Sequence, residues 1–125
     1  MRVLLDTHLV LWSLLDTQRI GGEAAEVLKR PGTAVVVSVV NLWEISIKRT
    51  SGKLSAPEDL PDRIRRLGHE ILPITAEHAW TAGGLAPHHR DPFDRLLVAQ
   101  AQVEDIPLIT HDRQLERYDV RIIRA

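Results

Sequence analysis

The chain has 125 residues, no cysteine and a formal net charge of -1. That length fits one domain, residues 1–125, and buries a core without cross-links, while 44% hydrophobic and 26% charged residues exclude a disordered chain. The missing cysteines exclude disulfides, thiolate-bound zinc and a cysteine nucleophile and fit a reducing cytoplasm, and the near-neutral charge argues against a strongly basic nucleic-acid surface.

The opening stretch MRVLLDTHLVLW is apolar but broken by Asp6 and His8. It reads as a strand followed by a helix, not as a signal peptide, and no stretch reaches the ~20 apolar residues that span a bilayer. Arg2–Asp6 is a short strand with three apolar residues in a row, the mark of a sheet covered on both faces. Thr7–Leu15 is a helix. Gly21 and Gly22 break the chain before a second helix near Glu23–Arg30, which Pro31 and Gly32 end. Ala34–Val37 is a β-branched strand. Ser38 caps a helix that runs to about Arg49, with Gly52 just beyond. Pro57–Pro61 reads as a loop, Asp62–His69 as a short basic helix and Glu70–Ile74 as an extended segment. Thr75 caps a helix, Ala76–Ala82, that Gly83 and Gly84 end. After the loop Pro87–Arg90, Asp91 or Pro92 opens a helix to about Val103. Pro107–Thr110 is a strand, Asp112–Glu116 a turn of helix and Arg121–Arg124 a last strand. This alternation predicts an α/β fold with a mostly parallel sheet and helices on both faces. Sites in such sheets form beyond the carboxyl ends of the strands.

Three acids, Asp6, Asp94 and Asp112, fall at strand ends or helix starts where that rule points, and a fourth, Glu44, sits in an apolar helix. Asp6 closes the first apolar strand, and serves either as a helix cap or as a site residue. Glu44 lies in the apolar helix VVNLWEISIK, with Val40 and Ile47 as its neighbours at helical spacing. A carboxylate buried there costs several kcal/mol unless it is paired or bound to metal, and Lys48, one turn on, offers the paired alternative. Asp94 and Asp91 share a face at the start of a strongly apolar helix, where the helix dipole also favours negative charge. Asp94 is placed at the inner rim of a cleft, and Asp91 as a cap or a supporting partner. Asp112 follows the strand PLIT, and a turn aspartate is its plainer reading. Thr110 offers a hydroxyl to a ligand or water, or is simply a strand residue. Gathering such charges is repulsive unless protons or a hard cation are taken up, and oxygen-only ligation favours Mg²⁺ or Mn²⁺. A cation so held activates water and supports in-line attack on a phosphodiester.

The remaining polar residues point less sharply. His88 and His89 read as solvated loop residues, and neither His8 nor His111 is assigned as a metal ligand. Arg63, Arg65 and Arg66 offer phosphate contacts, with a solvated helix face as their plainer reading. For Arg95, contact with a phosphate and a salt bridge to Asp91 stand as equal alternatives.

Taken together, LLDTHLVLW, SVVNLWEISIK, DPFDRLLVAQA and PLITHD resemble the signatures of PIN-domain ribonucleases, over essentially the whole chain. Within that superfamily the chain is similar to VapC-type toxins, in the branch with an H-x-x-DPFDR segment, here His88–Arg95. The resemblance implies a PIN-like three-layer α/β/α domain and a metal site of Asp6, Glu44, Asp94 and Asp112, with Asp91, Arg95 and Thr110 as supporting or phosphate-contacting residues. It implies Mg²⁺- or Mn²⁺-dependent endonucleolytic cleavage of single-stranded or looped RNA to products with a 5′-phosphate and a 3′-hydroxyl. It further implies a cytoplasmic homodimer, silenced by a cognate antitoxin protein, with no membrane partner. Two other classes compete. One is a non-catalytic module binding RNA or protein on the same fold. The other is a phosphoryl-transfer or receiver domain using Asp6, which the histidine at position 8 and the position of Asp6 after the first strand disfavour.

Overall fold

A computed structural model describes all 125 residues. Its centre is a five-stranded, all-parallel sheet in the order β3-β2-β1-β4-β5. The strands are β1 (Arg2–Leu5), β2 (Ala34–Ser38), β3 (Glu70–Leu72), β4 (Leu108–Thr110) and β5 (Ile122–Arg124). The helices are α1 (Thr7–Leu15), α2 (Gly22–Lys29), α3 (Val39–Thr50), α4 (Leu60–Arg66), α5 (Ala76–Gly84) and α6 (Pro92–Glu104). Short 3-10 turns at Thr17–Arg19 and Arg113–Arg117 complete the chain. No helix is long and apolar enough to cross a membrane.

Strand residues alternate between two apolar layers, as the pleat requires. Val3, Leu5, Val37, Ile109 and Ile123 pack with Leu9, Val10, Ala24, Val27, Leu60 and Ile64, which covers one sheet face with α1, α2 and α4. Leu4, Val36 and Leu108 turn the other way, onto Leu97, Val98 and Ala101 of α6 and onto Leu115 and Tyr118. Both faces are therefore covered, which explains why VLL and VVV are unbroken apolar runs rather than alternating ones. The chain starts in the middle of the sheet, builds outward to β2 and β3, then returns to add β4 on the other side of β1. Strand order thus reverses between β1 and β4, and the crevice beyond their carboxyl ends is the place this topology offers to a ligand.

The expected element order holds, and the boundaries shift for local reasons. Helix α4 starts at Leu60, inside the stretch expected as loop, because Pro61 sits in its first turn, where proline is tolerated, and because Leu60 and Ile64 are buried. It stops at Arg66, short of His69, where Gly68 takes φ +79°, a left-handed conformation that closes a helix and suits glycine. Helix α5 runs through Gly83 and Gly84 rather than ending before them. Helix α3 is less enclosed than its composition suggests: Val40, Asn41, Glu44 and Ile45 are buried, while Val39, Trp43 and Ile47 lie exposed along one stripe. Ile47 is therefore not an apolar wall for Glu44.

Candidate metal centre

The cleft beyond β1 and β4 is lined by Asp6, His8, Glu44, Lys48, Asp91, Asp94, His111, Asp112 and Arg113, and has a volume of about 310 Å³. Five carboxyl groups from four parts of the chain share it with no apolar lining residue. Larger cavities elsewhere lie away from these acids, among them one of about 630 Å³ near Gln102 and Asp119. The chemistry, rather than the size, singles out the acidic cleft.

Each acid is placed by its own element. Asp6 follows β1 and caps α1: the Thr7 backbone N–H donates to its Oδ1 at 2.6 Å, and the Thr110 hydroxyl donates to its Oδ2 at 2.7 Å. The cap role and the site position coexist, because a residue that ends a parallel strand also starts the next helix. Glu44 is held from both sides. Its Oε1 accepts from the Thr7 hydroxyl and its Oε2 from the Lys48 ammonium, each at 2.6 Å. The Thr7 hydroxyl in turn accepts from the Asn41 amide at 3.0 Å. The salt bridge that Lys48 offered is present, and the paired Glu44 carboxyl also lines the cleft. The bond to Glu44 is also the main reason the Lys48 ammonium is held above its ordinary pKa.

Asp91 is the N-cap of α6, accepting from the Phe93 and Asp94 backbone N–H groups at 2.8 and 3.3 Å. Asp94, three residues on, faces the acids. Burial, reinforced by the charges of Asp6, Asp91, Glu44 and Asp112, pushes its carboxyl from an ordinary 3.8 up to about 8. Asp112 caps the 3-10 turn after β4, accepting from the Gln114 N–H at 2.9 Å, and its own N–H donates to the Thr110 hydroxyl at 3.0 Å. Thr110 thus bridges Asp6 and Asp112, a supporting role that strand position alone left open.

Two expectations change. Arg95 neither pairs with Asp91 nor faces the cleft. Its guanidinium donates to the carbonyls of Ala82, Leu85, Ala86 and His89 and to the Tyr118 hydroxyl, so its planar fork fastens the loop before α6 and is engaged inside the protein. His89 is not a solvated loop residue. Its side chain is 14% exposed, and its Nε2 lies 3.1 Å from both Asp94 Oδ2 and Asp112 Oδ2. The doublet HH gave no signal to separate the two rings. His88 stacks edge-on against Tyr118, with ring centroids 5.1 Å apart, and does not line the cleft.

The donor set suits a hard divalent cation. The lining acids offer only carboxylate oxygens, which favours Mg²⁺ or Mn²⁺ over zinc, and the Asp94 carboxyl, raised by burial and then by the neighbouring charges, marks a place where a cation would favour the ionised form.

A parallel α/β sheet carrying an acidic cleft at its topological switch point defines a class of α/β proteins with a ligand site at the carboxyl ends of the strands. The family model described as "PIN domain" matches residues 3–121, and the chain belongs to that family. Ribonuclease VapC16 of Mycobacterium tuberculosis is 34% identical over 64 residues, covering 48% of this chain and 44% of that protein, so the match spans less than half the relative's length. Among solved structures, VapBC2 from Rickettsia felis, bound to a DNA fragment from its promoter, superposes with a TM-score of 0.73 at 15% identity, over 100% of this chain and 99% of the other. VapBC-1 from nontypeable Haemophilus influenzae superposes with a TM-score of 0.71 at 21% identity, over 99% and 98% of the two chains. At these identities the structural likeness establishes the fold.

Proposed function

We propose that the chain is a metal-dependent endoribonuclease, the toxin of a toxin–antitoxin pair, and that Asp6, Glu44, Asp94 and Asp112 hold Mg²⁺ or Mn²⁺ while RNA is hydrolysed. The observation that carries this is the convergence of these acids in one cleft, where burial, and after it the others' charge, raises the Asp94 pKa to about 8. When bound, the cation activates water and stabilises the charge that develops on the phosphodiester. The protein's own part is to hold the carboxyl groups still. Thr7 and Thr110 fix both oxygens of Asp6, and Thr7 and Lys48 fix both oxygens of Glu44. Lys48 and Arg113 place two cationic side chains in the same cleft, suited to positioning a phosphate backbone without reading its sequence.

The relative's name, Ribonuclease VapC16, supports RNA as the substrate. Solved neighbours that are toxin–antitoxin complexes, including one from Klebsiella pneumoniae and VapBC-5 from Mycobacterium tuberculosis, support a cognate antitoxin as partner. The exposed stripe Val39, Trp43 and Ile47 on α3, together with Trp80 at 88% exposure on α5, supports protein contacts of the kind a homodimer or an antitoxin makes. We assign the chain to the cytoplasm, where its RNA substrates lie.

The test is cleavage of a panel of single-stranded and hairpin RNAs by protein freed of antitoxin. Cleavage is expected with Mg²⁺ or Mn²⁺, lost with EDTA, and lowered at least about a hundredfold in Asp6→Asn and Asp94→Asn, each of which removes a charged metal ligand. RNA left intact across the panel, or cleavage indifferent to both substitutions, defeats the proposal.

A further inference from the structure

His89 has a role in this site that the acid set alone does not suggest. Its Nδ1 accepts the backbone N–H of Asp91 at 3.0 Å. A ring nitrogen that accepts carries a lone pair and no proton, so the neutral ring holds its proton on Nε2. That N–H faces Asp94 Oδ2 and Asp112 Oδ2, both at 3.1 Å. The ring cannot readily rotate out of this arrangement, because its loop is fastened on three sides. The His89 backbone N–H donates to the Tyr118 hydroxyl at 3.0 Å, which donates onward to the Ala86 carbonyl at 2.7 Å. Arg95 donates to the carbonyls of His89 and Ala86. Asp91, whose N–H sets the ring, also caps the helix that carries Asp94.

His89, Asp94 and Asp112 place one potential ligand atom each within 4.8 Å of one another, a grouping that by distance alone could itself hold an ion. The hydrogen on Nε2 decides against the imidazole as a ligand, because a protonated nitrogen has no lone pair to give. We propose that His89 is a positioning residue: an Nε2–H donor, set by the Asp91 N–H, that holds Asp94 and Asp112 together and stays outside the coordination of the cation. This rests on the metal-site reading above and assigns a part to the HHRD segment that precedes the acid. A donor to a ligating carboxylate fixes its orientation, and loss of such partners lowers metal affinity about 10- to 100-fold.

Three measurements test it. In metal-free, ¹⁵N-labelled protein, a long-range ¹H–¹⁵N spectrum is expected to show the Nε2–H tautomer for His89, assigned by the signal that His89→Asn removes; an Nδ1–H pattern overturns the proposal. In Mn²⁺-loaded protein, pulsed electron paramagnetic resonance is expected to show no directly bound nitrogen from this ring; a bound nitrogen that vanishes in His89→Asn overturns it. Calorimetry with Mn²⁺ is expected to show affinity down about 10- to 100-fold in His89→Asn, whose oxygen can accept the Asp91 N–H but whose amide falls short of the acids. His89→Gln, whose longer amide reaches them, is expected to recover most of the loss. Unchanged affinity in both variants overturns this proposal alone, whereas no Mn²⁺ uptake by the unsubstituted protein overturns it together with the metal-site reading.

Discussion

Replacing Asp94 by asparagine in the metal-free protein isolates the charge strain in the cleft. Burial and the neighbouring acids raise the Asp94 pKa from an ordinary 3.8 to about 8. Between those values the folded chain keeps a proton that the unfolded chain has released. Folded protein then binds more protons than unfolded, so stability falls as pH rises, by about 1.4 kcal/mol per pH unit for one full proton. From pH 5 to pH 8 that amounts to at most about 4 kcal/mol, and on the order of 2–4 kcal/mol once the coupling among the acids is shared out. His69 acts in the opposite sense. Burial lowers its pKa below 6.5, so the unfolded chain binds the extra proton and stability rises with pH towards that value. That contribution is present in both proteins and cancels in their difference. Asp94→Asn keeps the size of the side chain and removes the ionisation. Urea unfolding in EDTA at pH 5, 6, 7 and 8 is expected to show the variant gaining on the unsubstituted protein steadily across the series. Saturating Mg²⁺ is expected to abolish the fall in the unsubstituted protein, because the cation binds the deprotonated carboxyl. Parallel stability curves for the two metal-free proteins would refute the reasoning, since they would mean that neither burial nor the neighbouring acids raise the Asp94 pKa.

Arg95→Ala is expected to destabilise the fold by roughly 2–4 kcal/mol in urea unfolding, because it strands the carbonyls that the guanidinium serves. Arg95→Lys should recover little of this, since an ammonium cannot span the same fan of acceptors; full recovery by lysine would show that charge alone matters there. Thr7→Val removes the hydroxyl shared by Asn41 and Glu44 and is expected to cost about 1–3 kcal/mol in the same assay. A neutral result would mean that Lys48 and Asn41 hold Glu44 without it.

Much of the fold was legible along the chain because each element carries its own local cause. VLL and VVV are too continuously apolar for anything but a covered sheet. Ser38 and Thr75 announce helix starts with hydroxyls that accept from the first turn. Asp6, Asp94 and Asp112 were legible for a related reason: in a parallel α/β chain, acids just past strand ends or at helix starts collect along one edge. Glu44 was legible as an acid set in an apolar helix, although the exposure of Ile47 shows that the reason given for its burial was only half right.

What the residues determine by themselves is the alternation of strand and helix, the two apolar faces and the supply of acids at strand ends, because periodicity and capping act over a few residues. Contacts across long sequence separations were decided by the tertiary structure. Thr110 meets Asp6 across 104 positions, and His89 meets Asp112 across 23. No local pattern distinguishes His88 from His89, or tells Arg95 to turn inward to carbonyls instead of outward to phosphate. Those choices follow from how Tyr118, α5 and the loop before α6 pack together, and hydrogen bonds are satisfied only once that packing exists.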